Sequence, residues 1–196
     1  AMNWMSWADL AAYLDWACLR PMTELEFEKI CRGIAPRVAG EFPWGTTIIQ
    51  NVTSITNPNT STEIAGNASA NSVYGNHGSV QGPMRSGNFA RNSTSREQAG
   101  ASYYGVMDLG GNLWEYVYTI RNTGNREFNG SVHGDGVLTS SGENNTVGWP
   151  TAGTIKGGAW NSSALDCNTS DRGSVPWDQT TSRHNTTGIR LARSIE

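Results

Sequence analysis

Two carboxylates stand on either side of a glycine turn near the middle of the chain. Asp108 and Glu115 flank the segment GGNLW. A tight turn there would bring the two side chains together and expose the carbonyl oxygens of Gly111 and Leu113. Hard cations such as Ca²⁺ take this mixture of carboxylate and carbonyl oxygens. Surface carboxylates beside a turn are also common, and the pair could instead act as an acid and a base. The spacing therefore indicates a candidate cation site and leaves the other two interpretations open.

A second candidate is the segment KGGAWNSSALDC, residues 156–167, which ends on a cysteine. The chain has three cysteines, Cys18, Cys31 and Cys167. An odd and dispersed set of this kind excludes a disulfide framework and a zinc site built from four cysteines. Cys18 and Cys31 lie inside helical patterns, so we expect both to be buried. No base motif accompanies Cys167, and we expect a packed or half-buried thiol there rather than a nucleophile.

Length and charge limit the class of protein. The 196 residues fit one domain, residues 1–196, and the net charge of −3 provides no basic face for nucleic acid. No apolar run reaches the length of a membrane span, so we expect no membrane insertion. The low charged fraction of 16%, with 23 glycines and 8 tryptophans, indicates a loop-rich domain whose aromatic side chains carry much of the burial.

Two helices are predicted at the start of the chain, each with a capping box. Ser6 and Asp9 open the first, and Thr23 and Glu26 open the second, which Gly33 ends. The apolar faces consist of Trp7, Leu10, Leu14 and Ala17 in the first helix and Phe27, Ile30 and Cys31 in the second. Their spacing is helical.

The remaining chain predicts short strands and long ordered loops. Residues 40–101 show no sustained period. Residues 103–120 predict a strand, a turn at Gly110 and Gly111, and a second strand. Another strand is expected to start at Lys156, and GIRLAR at residues 188–193 is expected to close the chain as a core strand. The fold class is therefore α+β, loop-rich, with two helices against a small antiparallel sheet.

Five stretches, in order, resemble the formylglycine-generating-enzyme (sulfatase-modifying factor) domain family. They are LDWACLRPMTELEFEKICRG, GEFPWG, YYGVMDLGGNLWEYV, KGGAWN and TGIRLAR. The resemblance covers the chain from about Trp7 to Arg193 and implies a C-type lectin-like fold. The family normally begins with a further strand and helix, so the N-terminal part of the family domain is expected to be missing here. In relatives the segment similar to DLGGNLWE binds calcium. The resemblance thus implies a structural calcium ion on the Asp108 and Glu115 side chains and the Gly111 and Leu113 carbonyls.

The resemblance also implies an enzymatic alternative. Catalytic members oxidise a substrate cysteine with two cysteines after a GGSW-like motif, which act as copper ligands. Cys167 stands at the second position, seven residues after Trp160, but Ser162 occupies the first. One thiolate and one hydroxyl make a poor Cu(I) site, so copper is not expected. Iron-dependent relatives need a histidine-rich site, whereas the three histidines of this chain are scattered.

Residues 161–187 resemble the variable region of the variable proteins of diversity-generating retroelements, which share this fold. Asn, Ser and Thr make up 13 of these 27 residues. In those proteins the variable positions hold residues reachable from the codon AAC by adenine randomisation. Such positions here are Asn161, Ser162, Ser163, Leu165, Asp166, Asn168, Gly173, Ser174, Val175, His184 and Asn185. Trp177 and Gln179 fall outside that set and would be framework. An ordinary solvated loop has the same composition, so both origins of the segment remain open.

Together these features favour a non-catalytic ligand-binding module whose variable surface lies at residues 161–187. Small polar side chains with Trp177 as an aromatic anchor would suit a protein or glycan ligand on another cell or particle. A cell-surface or phage-particle location would fit this role. Asp171 and Arg172 are expected to form a salt bridge or hydrogen bonds that support the final strand. The alternatives are a divergent copper oxidase acting on a protein cysteine and a structural or adhesive component of a surface assembly.

Overall fold

Two helices open the chain in the structure, a computed structural model that describes residues 1–119, 128, 130–173 and 181–194. Helix α1 spans Trp7–Trp16 and helix α2 spans Glu24–Arg32. Both begin at the predicted capping boxes, where the Ser6 and Thr23 hydroxyls each accept a hydrogen bond from the backbone N–H three residues on. Gly33 ends α2 with a φ of +65°, which favours glycine. Both helix predictions are confirmed.

The described residues contain seven short strands, the first of which lies between the two helices. They are β1 (Arg20–Pro21), β2 (Ile55–Thr56), β3 (Ile64–Ala65), β4 (Trp114–Val117), β5 (Thr154–Lys156), β6 (Thr187–Gly188) and β7 (Leu191–Ala192). The central sheet has the order β5–β4–β6, with β4 antiparallel to β5 and parallel to β6. Strands β1 and β7 form one antiparallel pair and β2 and β3 another. The long segment between residues 40 and 101 is otherwise irregular, as predicted.

The central strand β4 is buried on both of its faces. Tyr116 belongs to the main core with Trp7 and Leu14 of α1, and the Trp7 and Tyr116 rings lie 6.0 Å apart. Its neighbour Val117 belongs to a second cluster with Phe27 of α2. Successive side chains of a strand point to opposite faces, so the two helices cover opposite faces of β4. This packing gives the loops around the sheet a rigid base.

Three strand predictions need correction. Residues 103–113 form no strand, because Asp108, Gly111 and Asn112 have φ values of +60°, +83° and +68°, which extended backbone does not adopt. Strand β5 ends at Lys156 rather than starting there, since left-handed glycines follow it. The segment GIRLAR holds the end of β6 and all of β7, and Leu191 is 37% exposed, so it is not one core strand.

The cysteine predictions are partly confirmed. Cys31 is buried in α2, and Cys167 is buried as well. Cys18 is exposed, because α1 ends two residues before it and its own φ of +54° turns the chain away from the helix. The prediction that Cys18 is buried is wrong. No helix among the described residues is long and apolar enough to cross a membrane.

Candidate functional site

The segment 156–167 starts from two glycines that no other residue could replace without strain. Gly157 has a φ of +90°, and a Cβ there would lie 2.6 Å from the Leu109 carbonyl oxygen. Gly158 has a φ of +77°, and its Cβ would lie 2.7 Å from Cys167 Sγ. The backbone N–H of the next framework residue, Trp160, donates to the Asn112 carbonyl at 2.9 Å. The close contacts of Gly157 and Gly158 fix the point at which the polar segment leaves strand β5.

Side chains within the segment then hold its backbone in one shape. A 3₁₀ turn spans Ala164–Cys167, and Asp166 Oδ2 accepts from the Ser163 N–H and hydroxyl at 2.9 and 3.0 Å. Ser162 Oγ accepts from the Ala159 N–H at 3.0 Å. The Ser162 carbonyl accepts from the Gly75 N–H at 2.7 Å. Ser162, Ser163 and Asp166 therefore support the turn, although they were predicted as ligand contacts.

Asn161 and Leu165 of this segment, and Asn185 further along the chain, face solvent. We call Asn161, Leu165 and Asn185 the contact face. All three are exposed, Leu165 by 71%, and neither asparagine side chain has a hydrogen-bond partner among the described residues. The indole N–H of Trp160 donates to the Asn185 carbonyl at 3.4 Å, which places residue 185 beside the start of the segment. The structure thus brings together predicted site residues that are 24 positions apart in the sequence.

The N-terminal residues border the contact face, which the sequence did not indicate. The Trp4 N–H donates to the His184 carbonyl at 2.9 Å, and the Asn3 side chain donates to the Asn185 carbonyl at 2.8 Å. The half-buried His184 is held by this pairing. Trp4 itself is 59% exposed. An isolated exposed tryptophan beside the face is a candidate anchor, and only the long-range pairing reveals it.

The residues just after the segment are bound to α2 and to the end of β5. Arg172 lies 2.5 Å from Glu24 Oε1 and 2.6 Å from Glu28 Oε1. The ammonium of the buried Lys156 donates to the Asp171 carbonyl at 2.5 Å. The predicted Asp171–Arg172 support of the final strand is therefore wrong, because the guanidinium binds the acidic face of a helix instead.

Not every predicted position can be placed. Gly173 is exposed and directly follows Arg172, which is paired with Glu24. It is not among the residues whose hydrogen bonds hold the backbone of residues 161–167. Ser174, Val175, Trp177 and Gln179 lie outside the described residues. The prediction of Trp177 as the aromatic anchor therefore stays a prediction.

The predicted cation ligands meet at a separate cleft of about 280 Å³, which we call the carboxylate cleft. Asp108, Leu113, Glu115 and Arg190 line it, whereas Gly111 does not. Arg190 Nη2 lies 2.5 Å from Glu115 Oε1, and the Gly87 N–H donates to Asp108 Oδ2 at 2.7 Å. The other oxygen of Glu115 is buried without a hydrogen-bond partner among the described residues.

The electrostatics of the carboxylate cleft leave room for a cation. Burial raises the pKa of Glu115, and the charge of Asp108 raises it further, while Arg190 opposes both effects. Burial likewise raises the pKa of Asp108. Arg190 lowers the pKa of both carboxyls, and the N-terminal ammonium and Arg85 also lower the pKa of Asp108. The unpartnered Glu115 oxygen, in the same cleft as Asp108, fits a hard cation on Asp108, Glu115 and the Leu113 carbonyl.

The thiol of Cys167 has surroundings that oppose reactivity. It is fully buried, and Sγ lies 3.7 Å from the Ser163 carbonyl oxygen. Burial, with the nearby charges of Asp166 and Asp171, raises the pKa of the thiol to about 12. The thiolate is the form that attacks and that binds Cu(I), and it is scarce at neutral pH with this pKa. The prediction of a packed thiol is confirmed.

Thiol labelling tests these assignments. We expect one of the three cysteines, the exposed Cys18, to react with an aromatic disulfide reagent in the native protein at mildly alkaline pH. Cys31 and Cys167 should react only in denaturant, since burial raises the pKa of both. The Cys18→Ser variant should lose the fast phase. A second fast thiol that persists in that variant would contradict the buried position of Cys31 or Cys167.

Comparison with known proteins gives a family match and a set of similar solved structures, two of which are described here. The model of the sulfatase-modifying factor enzyme 1-like domain matches residues 2–195. The chain is similar to PvdO from Pseudomonas aeruginosa at 19% identity and a TM-score of 0.53, covering 98% of this chain and 61% of PvdO. It is also similar to Treponema denticola variable protein 1 at 17% identity and a TM-score of 0.44, covering 88% of this chain and 46% of the other. No curated protein matches.

These matches bear on the fold. The chain spans less than two thirds of the length of either similar structure. The likeness to PvdO, with two helices and small, mainly antiparallel sheets, shows a common architecture. The predicted α+β, C-type lectin-like fold is confirmed.

Proposed function

Because the chain belongs to the sulfatase-modifying factor enzyme 1-like domain family, we propose that it uses this fold as a ligand-binding module with the contact face as its binding surface. One observation carries the proposal. Hydrogen bonds fix the backbone of residues 159–168, which we call the frame, while the side chains of Asn161, Leu165 and Asn185 remain exposed and unengaged. A preorganised surface of this kind loses little entropy when it binds.

The composition of the contact face suits a macromolecular ligand. Leu165 offers a large exposed apolar side chain, and the exposed Asn161 and Asn185 offer both donors and acceptors. Trp4 at the border adds an aromatic side chain. Adaptable polar groups around apolar anchors are typical of antibody-like binding surfaces. The ligand in this proposal is a protein or glycan on another cell or particle.

The proposed role is non-catalytic, and the exposed positions among the described residues of segment 161–187 are free to vary. Replacing a side chain of the contact face removes no bond that holds the frame. Such independence is what diversification of the segment requires. The protonated, buried thiol of Cys167 supports binding rather than oxidation. We further propose that Ca²⁺ binds in the carboxylate cleft and stabilises the loop before β4.

A substitution scan tests the separation of face and frame without knowledge of the ligand. We expect substitutions at Asn161, Leu165 and Asn185 to change the free energy of unfolding by less than about 0.5 kcal/mol. Removing the Asp166 carboxylate, which caps the 3₁₀ turn, should cost about 1 kcal/mol. Chemical denaturation of each purified variant provides the measurement. Losses at the exposed positions equal to those at Asp166 would contradict the proposal.

Binding itself is tested on protein and glycan arrays with two matched variants. Leu165→Asp changes the contact face, and Val147→Asp changes an apolar side chain that is 89% exposed in another loop. We expect array binding to be lost in the first variant, by at least about tenfold for a central apolar anchor, and retained in the second. Binding that survives Leu165→Asp would place the binding surface elsewhere.

A further inference from the structure

Trp4 has a backbone conformation that a tryptophan rarely adopts. Its φ of +61° lies in the left-handed region, which costs free energy for a residue with a bulky side chain. Most of the other left-handed residues in the described chain are Gly, Asn or Asp, which tolerate this region. Backbone strain persists only where the surrounding structure holds it, and it is common at ligand-binding sites. A strained tryptophan at the border of the contact face is therefore a candidate for a binding role.

Hydrogen bonds on both sides fix the backbone of Trp4. Its N–H donates to the His184 carbonyl at 2.9 Å, and the Thr187 hydroxyl donates to the Met5 carbonyl at 3.0 Å. Ser6, the N-cap of α1, follows directly. The tryptophan is 59% exposed, so its own burial does little to offset the strain. The structure thus holds an exposed indole at a fixed place on the surface.

The indole of Trp4 has no partner among the residues that the structure describes. Its N–H makes no hydrogen bond there, and its ring packs on no aromatic ring or cation. Trp16 is exposed to a similar extent, 61%, but its ring lies against Tyr13 with the two centroids 5.9 Å apart. Trp160 is also engaged, since its N–H donates to the Asn185 carbonyl. Trp4 therefore presents an electron-rich ring and a hydrogen-bond donor to solvent.

The residues next to Trp4 are polar but offer no unpaired charge. Residues 2–6 contain no acidic or basic side chain. In residues 182–187 the one permanently charged side chain is Arg183, which Asp9 binds at 2.5 Å. Asn185 directly follows the carbonyl that the Trp4 N–H binds, and its exposed amide offers a donor and an acceptor. An ionic ligand finds no free counter-charge on these two segments, whereas a neutral ligand with many hydroxyl groups finds an aromatic ring and an amide.

We propose that Trp4 stacks on a neutral pyranose ring of a glycan, and that the amide of Asn185 binds a hydroxyl group of the same glycan. One face of a pyranose consists of C–H groups, which pack on the face of an aromatic ring, and its hydroxyl groups pair with amides. An indole held in one place loses little conformational freedom when the sugar binds. This inference rests on the proposed function, since it assigns a neutral glycan as the ligand at the border of the contact face.

Two substitutions at Trp4 test the strain without any ligand. Trp4→Gly and Trp4→Ala both remove the indole, but only glycine adopts a left-handed backbone without strain. We expect Trp4→Gly to melt about 2 °C or more above Trp4→Ala. At Trp16 in α1 the order of the two variants should be reversed, because alanine is the better helix former. If Trp4→Ala melts as high as Trp4→Gly, the backbone carries no strain and the proposal is overturned.

Binding is measured by NMR titration with methyl glycosides of neutral hexoses. The signal followed is the Trp4 indole N–H, which is assigned by its absence in Trp4→Ala. We expect saturable shifts with at least one glycoside, and a loss of affinity of about tenfold or more in Trp4→Ala, because the stacking contact is removed. Trp4→Phe keeps an aromatic ring and should bind with intermediate affinity, whereas Trp16→Ala should bind as wild type does. No saturable shift up to the solubility limit, or an unchanged affinity in Trp4→Ala, would overturn the proposal.

Further probes separate the possible ligands. A methyl glucuronide that binds more tightly than the methyl glucoside would contradict the neutral surroundings. Free glucose that binds more tightly than the methyl glucoside would replace the glycan by a free sugar. Array binding that depends on Trp4 but is confined to proteins would overturn the choice of a glycan.

Failure of this inference is distinguishable from failure of the contact face. If Leu165→Asp abolishes array binding and Trp4→Ala does not, the contact face stands and the role of Trp4 falls. If Trp4→Ala abolishes glycan binding and Leu165→Asp does not, Trp4 stands and the contact face falls.

Discussion

Replacing Arg190 by Met is expected to lower the free energy of unfolding of the metal-free protein by about 3–5 kcal/mol. The guanidinium of Arg190 lies 2.5 Å from Glu115 Oε1 and also donates to the Met107 carbonyl at 3.0 Å. Without it, the buried Glu115 carboxylate has no cation partner and faces the charge of Asp108 in the same cleft. Denaturant titration of wild type and variant measures the loss. A loss below about 1 kcal/mol, the value of a surface ion pair, would contradict this assignment.

The same variant tests the proposed calcium site. Ca²⁺ should raise the melting temperature of wild type and recover part of the stability lost in Arg190→Met, since the ion supplies the missing positive charge. In Glu115→Gln the effect of Ca²⁺ should be smaller, because one charged ligand is gone. Mg²⁺ serves as the control, as it demands a stricter octahedral geometry. An unchanged melting temperature with Ca²⁺ in both wild type and Arg190→Met would argue against calcium.

The pH dependence in metal-free protein follows from the raised pKa of Glu115. In the unfolded chain this carboxyl loses its proton near 4.5, whereas the folded protein keeps the proton to higher pH. The folded state therefore binds more protons in this interval, and the contribution of Glu115 to stability falls as pH rises through it. In Arg190→Met the fall in the free energy of unfolding should continue to higher pH than in wild type. In Glu115→Gln this part of the pH dependence should be absent.

The helices could be predicted from sequence because their signals are local. Ser6 with Asp9 and Thr23 with Glu26 lie three residues apart, and both capping boxes form as the pattern requires. The loop before β4 could not be predicted, because its conformation depends on distant partners. The Asn112 side chain accepts from the Met84 N–H at 2.8 Å and donates to its carbonyl at 3.2 Å. These two bonds with Met84 hold Asn112, whose left-handed backbone is incompatible with the predicted strand.

The candidate site, too, could be predicted from sequence only in part. Sequence composition marked residues 161–187 as polar, but it could not distinguish exposed Asn161 from Ser162, whose hydroxyl holds the turn. Adjacent residues of the same class have different roles because only one faces the Ala159 N–H. Arg172 had an acidic neighbour in sequence, yet its partners are 144 and 148 positions away. Long-range ion pairs of this kind leave no trace in local spacing.

The contact between Gly158 and Cys167 should control the stability of the frame, and Gly158→Ala is expected to cost about 3 kcal/mol or more. Part of this is the left-handed backbone, about 1–2 kcal/mol for a residue with a Cβ. The rest is the overlap with Cys167 Sγ, 2.7 Å from the new Cβ, because overpacking costs about 1–3 kcal/mol. Gly142→Ala is the matched control, since its φ is +80° and no atom lies within 4 Å of its Cβ. It should show the backbone cost alone.

A double-mutant cycle isolates the contact. Cys167→Ala removes the sulfur, so the combined variant should be more stable than the sum of the two single losses predicts, by about 0.5–3 kcal/mol. Denaturant titrations of the four proteins provide the measurement. Relief of the overlap would show that the buried sulfur packs against the glycine turn, which is a structural use for a thiol without an accessible nucleophilic form. Equal losses in Gly158→Ala and Gly142→Ala, with no coupling to Cys167, would instead mean that the frame yields to an added methyl group. A frame that yields would not hold the contact face in one conformation, and the preorganisation on which the proposed binding depends would be lost.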